Sequence, residues 1–206
     1  LILLMCTGPV PADNWPMWRG PRGDGTSSES GVPLRWSSRD NIAWKVRIPG
    51  IGHASPIVWE DRIFIVTCLS ESQERVLLCL DRTSGDTLWQ RVVIEAPLEE
   101  KHRLNSRASS TPLTDGELVY VAFLEPDGSQ VPIGDDRHVT PGNMVVAAYD
   151  FSGQRQWLVR PGLFSSRHGF CSNPVPFENR IIVNGDHDGD AYLVALDRQT
   201  GETLWK

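Results

Sequence analysis

The sequence predicts an all-β protein in which one unit of four short antiparallel strands recurs along the chain. The phrase LLCLDRTSGDTLWQ at 77–90 returns as LVALDRQTGETLWK at 193–206, with a looser copy, VVAAYDFSGQRQWLV, at 145–159. Before each copy, a small residue and a proline lead into alternating β-branched and aromatic residues. The 15 prolines, 18 glycines and 8 tryptophans suit short strands that are joined by turns.

Each repeat opens with a predicted β-hairpin. The three hairpins are ASPIVWEDRIFIVTC at 54–68, SSTPLTDGELVYVAF at 109–123 and SNPVPFENRIIVNGD at 172–186. In each of them, apolar residues surround a short polar turn, as is typical of antiparallel pairs. The repeated phrase supplies a second hairpin. The unit therefore has four strands, which we call A, B, C and D in chain order.

The tryptophans of the predicted D strands indicate how the units assemble. They are 45, 68 and 48 residues apart, at Trp44, Trp89, Trp157 and Trp205. A period of 40 to 50 residues with four strands per copy is typical of a β-propeller blade. A single sheet cannot bury its two apolar faces alone, so the blades must stack side by side. The predicted blades cover about 54–94, 109–160 and 172–206 of a propeller domain at 42–206.

The segment 42–48 is predicted to be a D strand that has no A, B or C strand before it. Because a closed propeller needs at least four blades, we expect the chain to be a partial propeller, a fragment in which this strand closes the ring. The missing initial methionine and the end at Lys206 agree with this expectation. Dimerisation that closes a ring is the alternative.

The repeated phrase is predicted to be structural. Its aspartate can cap the amides of a tight C-to-D turn, and its glycine supplies a positive φ. The tryptophan four residues later can lie across the neighbouring blade. Ligand stacking on the tryptophans is the alternative. Besides the four D-strand tryptophans, the residues with this predicted role are Asp81, Asp150, Asp197, Gly85, Gly153 and Gly201.

These motifs resemble those of the PQQ-repeat propellers. ALDRQTGETLW at 195–205 and CLDRTSGDTLW at 79–89 are similar to the tryptophan-docking motif of that family. NWPMWRGPRGDGTSSESGVPLRW at 14–36 looks like the leader before blade one in exported bacterial members. The family includes quinoprotein dehydrogenases and non-enzymatic propellers such as the outer-membrane assembly lipoprotein BamB. The resemblance covers about 14–206 and implies a propeller fold.

The resemblance leaves two functions open. A BamB-like protein would be a binding scaffold without a cofactor, and we expect this function. A quinoprotein alcohol or sugar dehydrogenase would hold pyrroloquinoline quinone (PQQ) and a calcium ion in the propeller channel, with an aspartate that takes the alcohol proton. The family's dehydrogenases typically carry an adjacent Cys-Cys pair and often a c-type haem motif. Neither motif occurs in this sequence.

The first residues predict export to the periplasm or cell envelope. Residues 1–12, LILLMCTGPVPA, look like the end of a signal peptide, and 13–41 form the leader. A buried first strand is the alternative, although Pro9 and Pro11 oppose it. Lipidation at Cys6 would be the route to membrane association. The net charge of -6, from 26 acidic and 20 basic residues without long runs, argues against nucleic acid as a partner.

The long connections are predicted to share one face of the propeller. The D-to-A connections at 96–107 and 160–172 and the B-to-C connection at 124–143 fall on that face, opposite the short A-to-B and C-to-D turns. Long loops on one face are typical of a binding surface, so we expect a protein or small-molecule ligand there. Phe164 and Phe170 are the aromatic candidates for stacking a solute.

Polar residues just before the A strands form the candidate site: His53, Asn105, Arg107, Arg167 and His168. Strand capping and solvation of the rim are the alternative. Since neither a nucleophile nor a second carboxylate accompanies these residues, we assign catalysis to none of them.

The stretch NGDHDGDAY at 184–192 resembles the start of a calcium loop, because Asp186, Asp188 and Asp190 alternate along it. A bidentate glutamate is expected twelve positions into such a loop, but Asp197 stands there instead. A sharp B-to-C turn explains the same residues, so we predict no metal site and keep the three aspartates as the candidates for one.

Overall fold

The structure, a computed structural model, describes residues 13–133 and 137–206. The predicted signal peptide end and Cys6 lie outside the described residues. The described part consists of strands, turns and irregular segments, and no helix in it could cross a membrane.

Twelve strands form three four-stranded antiparallel sheets, and each sheet is a blade. Blade one consists of β1 (Ile57–Trp59), β2 (Arg62–Leu69), β3 (Glu74–Asp81) and β4 (Thr87–Glu95). Blade two starts with β5 (Leu113–Thr114) and β6 (Leu118–Pro126), is interrupted by a separate hairpin of β7 (Val131–Ile133) and β8 (Arg137–Val139), and ends with β9 (Gly142–Asp150) and β10 (Arg155–Phe164). Blade three consists of β11 (Val175–Phe177), β12 (Arg180–Gly185), β13 (Tyr192–Asp197) and β14 (Thr203–Trp205).

The blades pack face to face in chain order. One buried apolar cluster joins blades one and two, with Phe64 and Leu77 on one side and Val121 and Val145 on the other. A second cluster joins blades two and three in the same way. The neighbouring A strands β1 and β5 contact each other, which places them at the inner edge of the stack. The chain is therefore a partial β-propeller of three blades, as the repeat predicts.

The structure differs from the expected elements in two places. Strand β10 runs on to Phe164, so the first part of the expected loop 160–172 is strand, with an irregularity in its pairing between Val159 and Gly162. A proline is tolerated here because β10 is the edge strand of its sheet. The expected connection 124–143 is also partly strand, since it contains the separate hairpin.

Residues 42–48 are not assigned to a strand and pair with no described strand. The ring-closing role of this segment therefore stays a prediction.

Three of the four tryptophans of the predicted D strands lie against the C-to-D turn of the blade that follows. The Nε1–H groups of Trp44, Trp89 and Trp157 donate to the carbonyls of Arg82, Phe151 and Arg198 at 2.9, 3.0 and 3.0 Å. Each ring also lies over the glycine of that turn. A Cβ built on Gly85, Gly153 or Gly201 would meet ring atoms at 2.6–2.9 Å. The turns lack a side chain where the neighbouring indole packs.

The aspartate of each turn holds the chain reversal. The Asp81 carboxylate accepts hydrogen bonds from the amides of Thr83 and Ser84, both at 2.8 Å. The Asp197 carboxylate accepts from the two equivalent amides at 2.9 Å each. These backbone hydrogen bonds lower the pKa of both carboxyls below the ordinary value of 3.8. At Asp150 burial acts in the opposite direction, but hydrogen bonds to Ser152, Gln154 and Gln156 outweigh it and lower the pKa there too.

The leader forms backbone hydrogen bonds with two blades at the end where the A-to-B turns lie. Trp15 forms an antiparallel bridge with Val58 of blade one, with backbone hydrogen bonds of 2.8 and 3.0 Å. One residue later, the Pro16 carbonyl accepts from the amide of Thr114 in blade two at 2.8 Å. The leader is therefore an added edge that links β1 to β5.

Removing an inter-blade indole should destabilise the chain strongly. Trp157, only 8% exposed, fills the space between blades two and three, so Trp157→Ala should lower the free energy of unfolding by about 3–5 kcal/mol. Trp36 is 70% exposed, and Trp36→Ala should change it by less than about 0.5 kcal/mol. Urea unfolding measures both. Similar losses in the two variants would contradict the packing role of Trp157.

Acid should weaken the turns. Since the folded-state pKa of Asp81 lies below the unfolded value near 3.8, its stabilising contribution is complete above that value and is lost as the pH falls through the folded pKa. Asp81→Asn should therefore reduce the loss of unfolding free energy between neutral and acid pH. Asp86→Asn in the same turn is the control, because the Asp86 carboxylate accepts no hydrogen bond within the described residues. An unchanged pH slope in Asp81→Asn would refute the assignment.

Candidate functional site

Backbone hydrogen bonds sort the connections onto two faces. The Arg82 amide of a C-to-D turn donates to the Asp61 carbonyl of an A-to-B turn at 2.8 Å, so these two turns share one end, which we call the turn face. At the other end, the Asp188 amide of a B-to-C connection donates to the Ser165 carbonyl of a D-to-A connection at 2.8 Å. We call this end the looped face.

The looped face carries a cavity of about 480 Å³, which we call the basic pocket. Three separate connections contribute to it: the first D-to-A connection, strand β8 of the inserted hairpin, and the second D-to-A connection. The described residues that line it are Glu100, Lys101, His102, Arg103, Arg137, His138, Arg167 and His168. Four of these side chains are cationic, three are imidazoles and one is acidic.

A buried ion pair holds the base of the first connection. The guanidinium of Arg75, on strand β3, is fully buried and contacts the buried carboxylate of Glu99 at 2.6 Å. The same guanidinium donates to the carbonyls of Ala96 and Pro97 at 2.6 and 2.9 Å. Burial raises the pKa of the Glu99 carboxyl, while the charges of Arg75 and Arg107 act in the opposite direction. The pair ties the connection to the sheet just before it enters the pocket.

The two D-to-A connections pack directly against each other. The Asn105 amide group donates to the His168 carbonyl at 2.6 Å, and the centroids of the His102 and His168 rings are 6.0 Å apart. Gly169 permits this approach, because it has a φ of +84° and a Cβ there would lie 2.9 Å from the Cβ of Lys101. The pocket walls are thus joined by backbone and not only by flexible side chains.

The inserted hairpin and blade three complete the walls. The Glu100 amide donates to the hydroxyl of Thr140, just after the hairpin, at 2.9 Å. On the other side, the Asp188 carboxylate accepts from the Arg167 amide at 2.9 Å and lies 3.7 Å from the Arg167 guanidinium. Asp188 therefore positions Arg167. In the described residues, no group of three His, Cys, Asp or Glu side chains could hold a metal ion, and this includes the Asp186, Asp188 and Asp190 stretch.

The structure brings three of the five candidate residues together. Arg167 and His168 line the basic pocket, and Asn105 positions the second connection behind them. Arg107 instead donates to the Glu99 carbonyl at 3.0 Å, so it supports the base of the first connection. The amide of His53 bonds the Ala108 carbonyl at 3.0 Å, and its ring does not line the pocket.

Phe164 and Phe170, the aromatic candidates for stacking a solute, are buried. Both are 3% exposed and form an edge-to-face pair, with ring centroids 5.0 Å apart, in the core between blades two and three. Strand β10 continues to Phe164 and turns this side chain inward. A stacking role for these two rings is therefore excluded.

Sequence reasoning missed the loop tips that line most of the pocket. A pattern could have found them, because a basic residue and a histidine are adjacent in all three connections: Lys101-His102, Arg137-His138 and Arg167-His168. The five candidate residues, in contrast, all lie just before A strands. Which loops converge depends on how the blades pack.

The described residues of the basic pocket do not fit the calcium ion that a quinoprotein dehydrogenase would hold. Calcium takes several oxygen ligands, and carboxylates are the usual charged ones. Among the described residues that line the basic pocket, Glu100 is the only carboxylate beside four cations, which oppose a divalent cation.

Just over half of the chain is similar to one known protein family. Residues 34–140, which are slightly more than half of the chain, match the model of the family described as outer membrane protein assembly factor BamB. The chain belongs to this family. The matched residues include the whole of blade one and the first connection of the basic pocket. No curated protein matches the chain.

Two solved structures are similar to this BamB-family chain at low identity. A europium-containing methanol dehydrogenase is 15% identical with a TM-score of 0.46, over 75% of this chain and 24% of that protein. BamB from Moraxella catarrhalis is 18% identical with a TM-score of 0.36, over 79% of this chain and 54% of that protein. The chain thus spans about a quarter and about half of these two proteins.

Removing one partner of the buried Arg75–Glu99 pair should lower the free energy of unfolding more than removing both partners. Arg75→Met leaves Glu99 buried without its cationic partner and should lower the free energy of unfolding by about 3–5 kcal/mol. The double variant Arg75→Met/Glu99→Met removes both charges, so it should be more stable than the sum of the two single losses predicts. Urea unfolding of the four proteins in the cycle measures the coupling. Additive losses would contradict an energetic pair.

Proposed function

We propose that this chain is an exported binding module of the BamB family that presents its looped face to a partner protein or a small ligand in the periplasm or cell envelope. The observation that carries the proposal is the convergence of three connections, from two blades and an inserted hairpin, on one pocket. Loops that a rigid sheet scaffold holds in place are where proteins concentrate binding. The expected export agrees with an envelope location, and the matched family is named for an assembly factor.

The turn face offers less for recognition. Its A-to-B and C-to-D turns are short, their aspartates and glycines are engaged in the turns themselves, and the leader crosses two of the A strands there. The looped face differs because its connections are long and its polar side chains point into a cavity. On the looped face, a ligand in the basic pocket can contact several connections at once.

Site-specific photocrosslinking tests which face is used. A photoreactive phenylalanine analogue at Leu104, which is 72% exposed on the first D-to-A connection, should form adducts with an envelope partner. The same analogue at Thr83, an exposed residue of a C-to-D turn, is the matched control and should form few adducts. Immunoblots and mass spectrometry after irradiation give the readout. Adducts that come mainly from Thr83, or equally from both positions, would overturn the choice of face.

A further inference from the structure

We propose that the basic pocket binds a small ligand through a phosphate or sulfate group. This inference rests on the proposed binding role of the looped face and names the ligand chemistry that the pocket selects. The whole chain carries a net charge of -6, yet the described residues that line this pocket include four cationic side chains and one carboxylate.

The cations of the first connection are available for a ligand. Within the described residues, neither Lys101 nor Arg103 forms an ion pair with a carboxylate. Arg167 has the partner Asp188, but the 3.7 Å separation is loose, and the Arg167 side chain is 45% exposed. Arginine presents several N–H donors in a fixed fork, and lysine adds a mobile charge. Together they can surround an anion from two connections.

The histidines extend this set of donors. The Nδ1 atom of His102 accepts a hydrogen bond from the Leu104 amide at 3.3 Å, so the neutral ring carries its proton on Nε2. No described residue accepts a hydrogen bond from this Nε2–H group, so it is free to donate to a ligand. The His168 ring packs beside it, with the two ring centroids 6.0 Å apart. Apart from Glu100, the described side chains of the walls therefore offer hydrogen-bond donors and positive charge.

A tetrahedral oxyanion suits this arrangement better than a single carboxylate does. Phosphate and sulfate groups have three or more acceptor oxygens that point in different directions, and charge-assisted hydrogen bonds to such oxygens are strong. The cationic side chains come from three connections, so donors approach from several sides. The cavity of about 480 Å³ is larger than the anion alone and lies in the range of small-molecule sites, so the group is expected to be carried by a larger molecule.

The grouping of the cations in one place argues for a small ligand rather than a polymer backbone. A nucleic acid needs a basic stripe that follows successive phosphates. Here the cationic residues gather in one cavity, and the outward-facing C-to-D turns carry aspartates instead. Glu100, the acidic residue among the described residues of the walls, can accept a hydrogen bond from a hydroxyl of the molecule that carries the anion.

Calorimetric titration of the 206-residue chain tests the proposal at constant pH and ionic strength. The probes are inorganic phosphate, inorganic sulfate, glucose 6-phosphate, glucose and citrate. We expect saturable binding of phosphate or sulfate, tighter binding of glucose 6-phosphate, no binding of glucose, and loss of affinity as salt is added. Lys101→Gln/Arg103→Gln should weaken binding by about tenfold or more.

The control variant Arg35→Gln/Arg39→Gln removes the same charge from the exposed leader and should bind as the wild type does. Equal urea midpoints show that both double variants are folded. Equal weakening in both variants, binding of citrate alone, or the absence of heat with every anion would each overturn the proposal.

If Leu104 still crosslinks a partner while no oxyanion binds, the looped face keeps its role and only the ligand class fails. If oxyanions bind but Leu104 gives no adduct, the ligand class stands and the protein-binding role fails.

Discussion

The structure depends on covering the apolar faces of each four-stranded sheet with the next sheet. A lone blade of about forty residues would expose two such faces, so the blades are stable only as a stack. The indoles at the blade boundaries show how closely the neighbours fit. Trp157 occupies the space over Gly201 that a side chain would otherwise fill, and its N–H satisfies a turn carbonyl. Packing and polar satisfaction thus act at the same contact.

The stack determines where the connections meet. Antiparallel strands alternate in direction, so the D-to-A and B-to-C connections must emerge at one end, and face-to-face packing brings those of neighbouring blades together. The buried Arg75–Glu99 pair then holds the first connection at its base. Gly169, which has no side chain, lets the second connection pack closely against Lys101 of the first. The connections that form the basic pocket are therefore held by the sheets and by loop backbone. Their charged side chains do not have to hold the loops together and can face solvent.

Much of the fold follows from sequence because the information is local and repeated. The Asp-Gly-Trp spacing specifies a turn and a strand, and the alternation in ASPIVWEDRIFIVTC specifies a hairpin. Local patterns were less successful where the chain departs from the repeat. The Arg160-Pro161-Gly162 stretch suggests a loop but lies within edge strand β10. Phe164 suggests a loop aromatic and is buried, because the strand reaches it.

The candidate site was predictable only in part. The residues before the A strands identified Arg167, His168 and their neighbour Asn105, because strand ends on one face must lie near each other. They also included Arg107, which supports a loop, and His53, which lies outside the pocket. The sequence by itself determined the repeat, the all-β class and the face that carries the long connections, since these depend on short-range spacing and strand direction. Only the tertiary structure decided that basic residues more than sixty positions apart share one cavity, because charge that is scattered along a chain gathers only where packed blades bring its loops together.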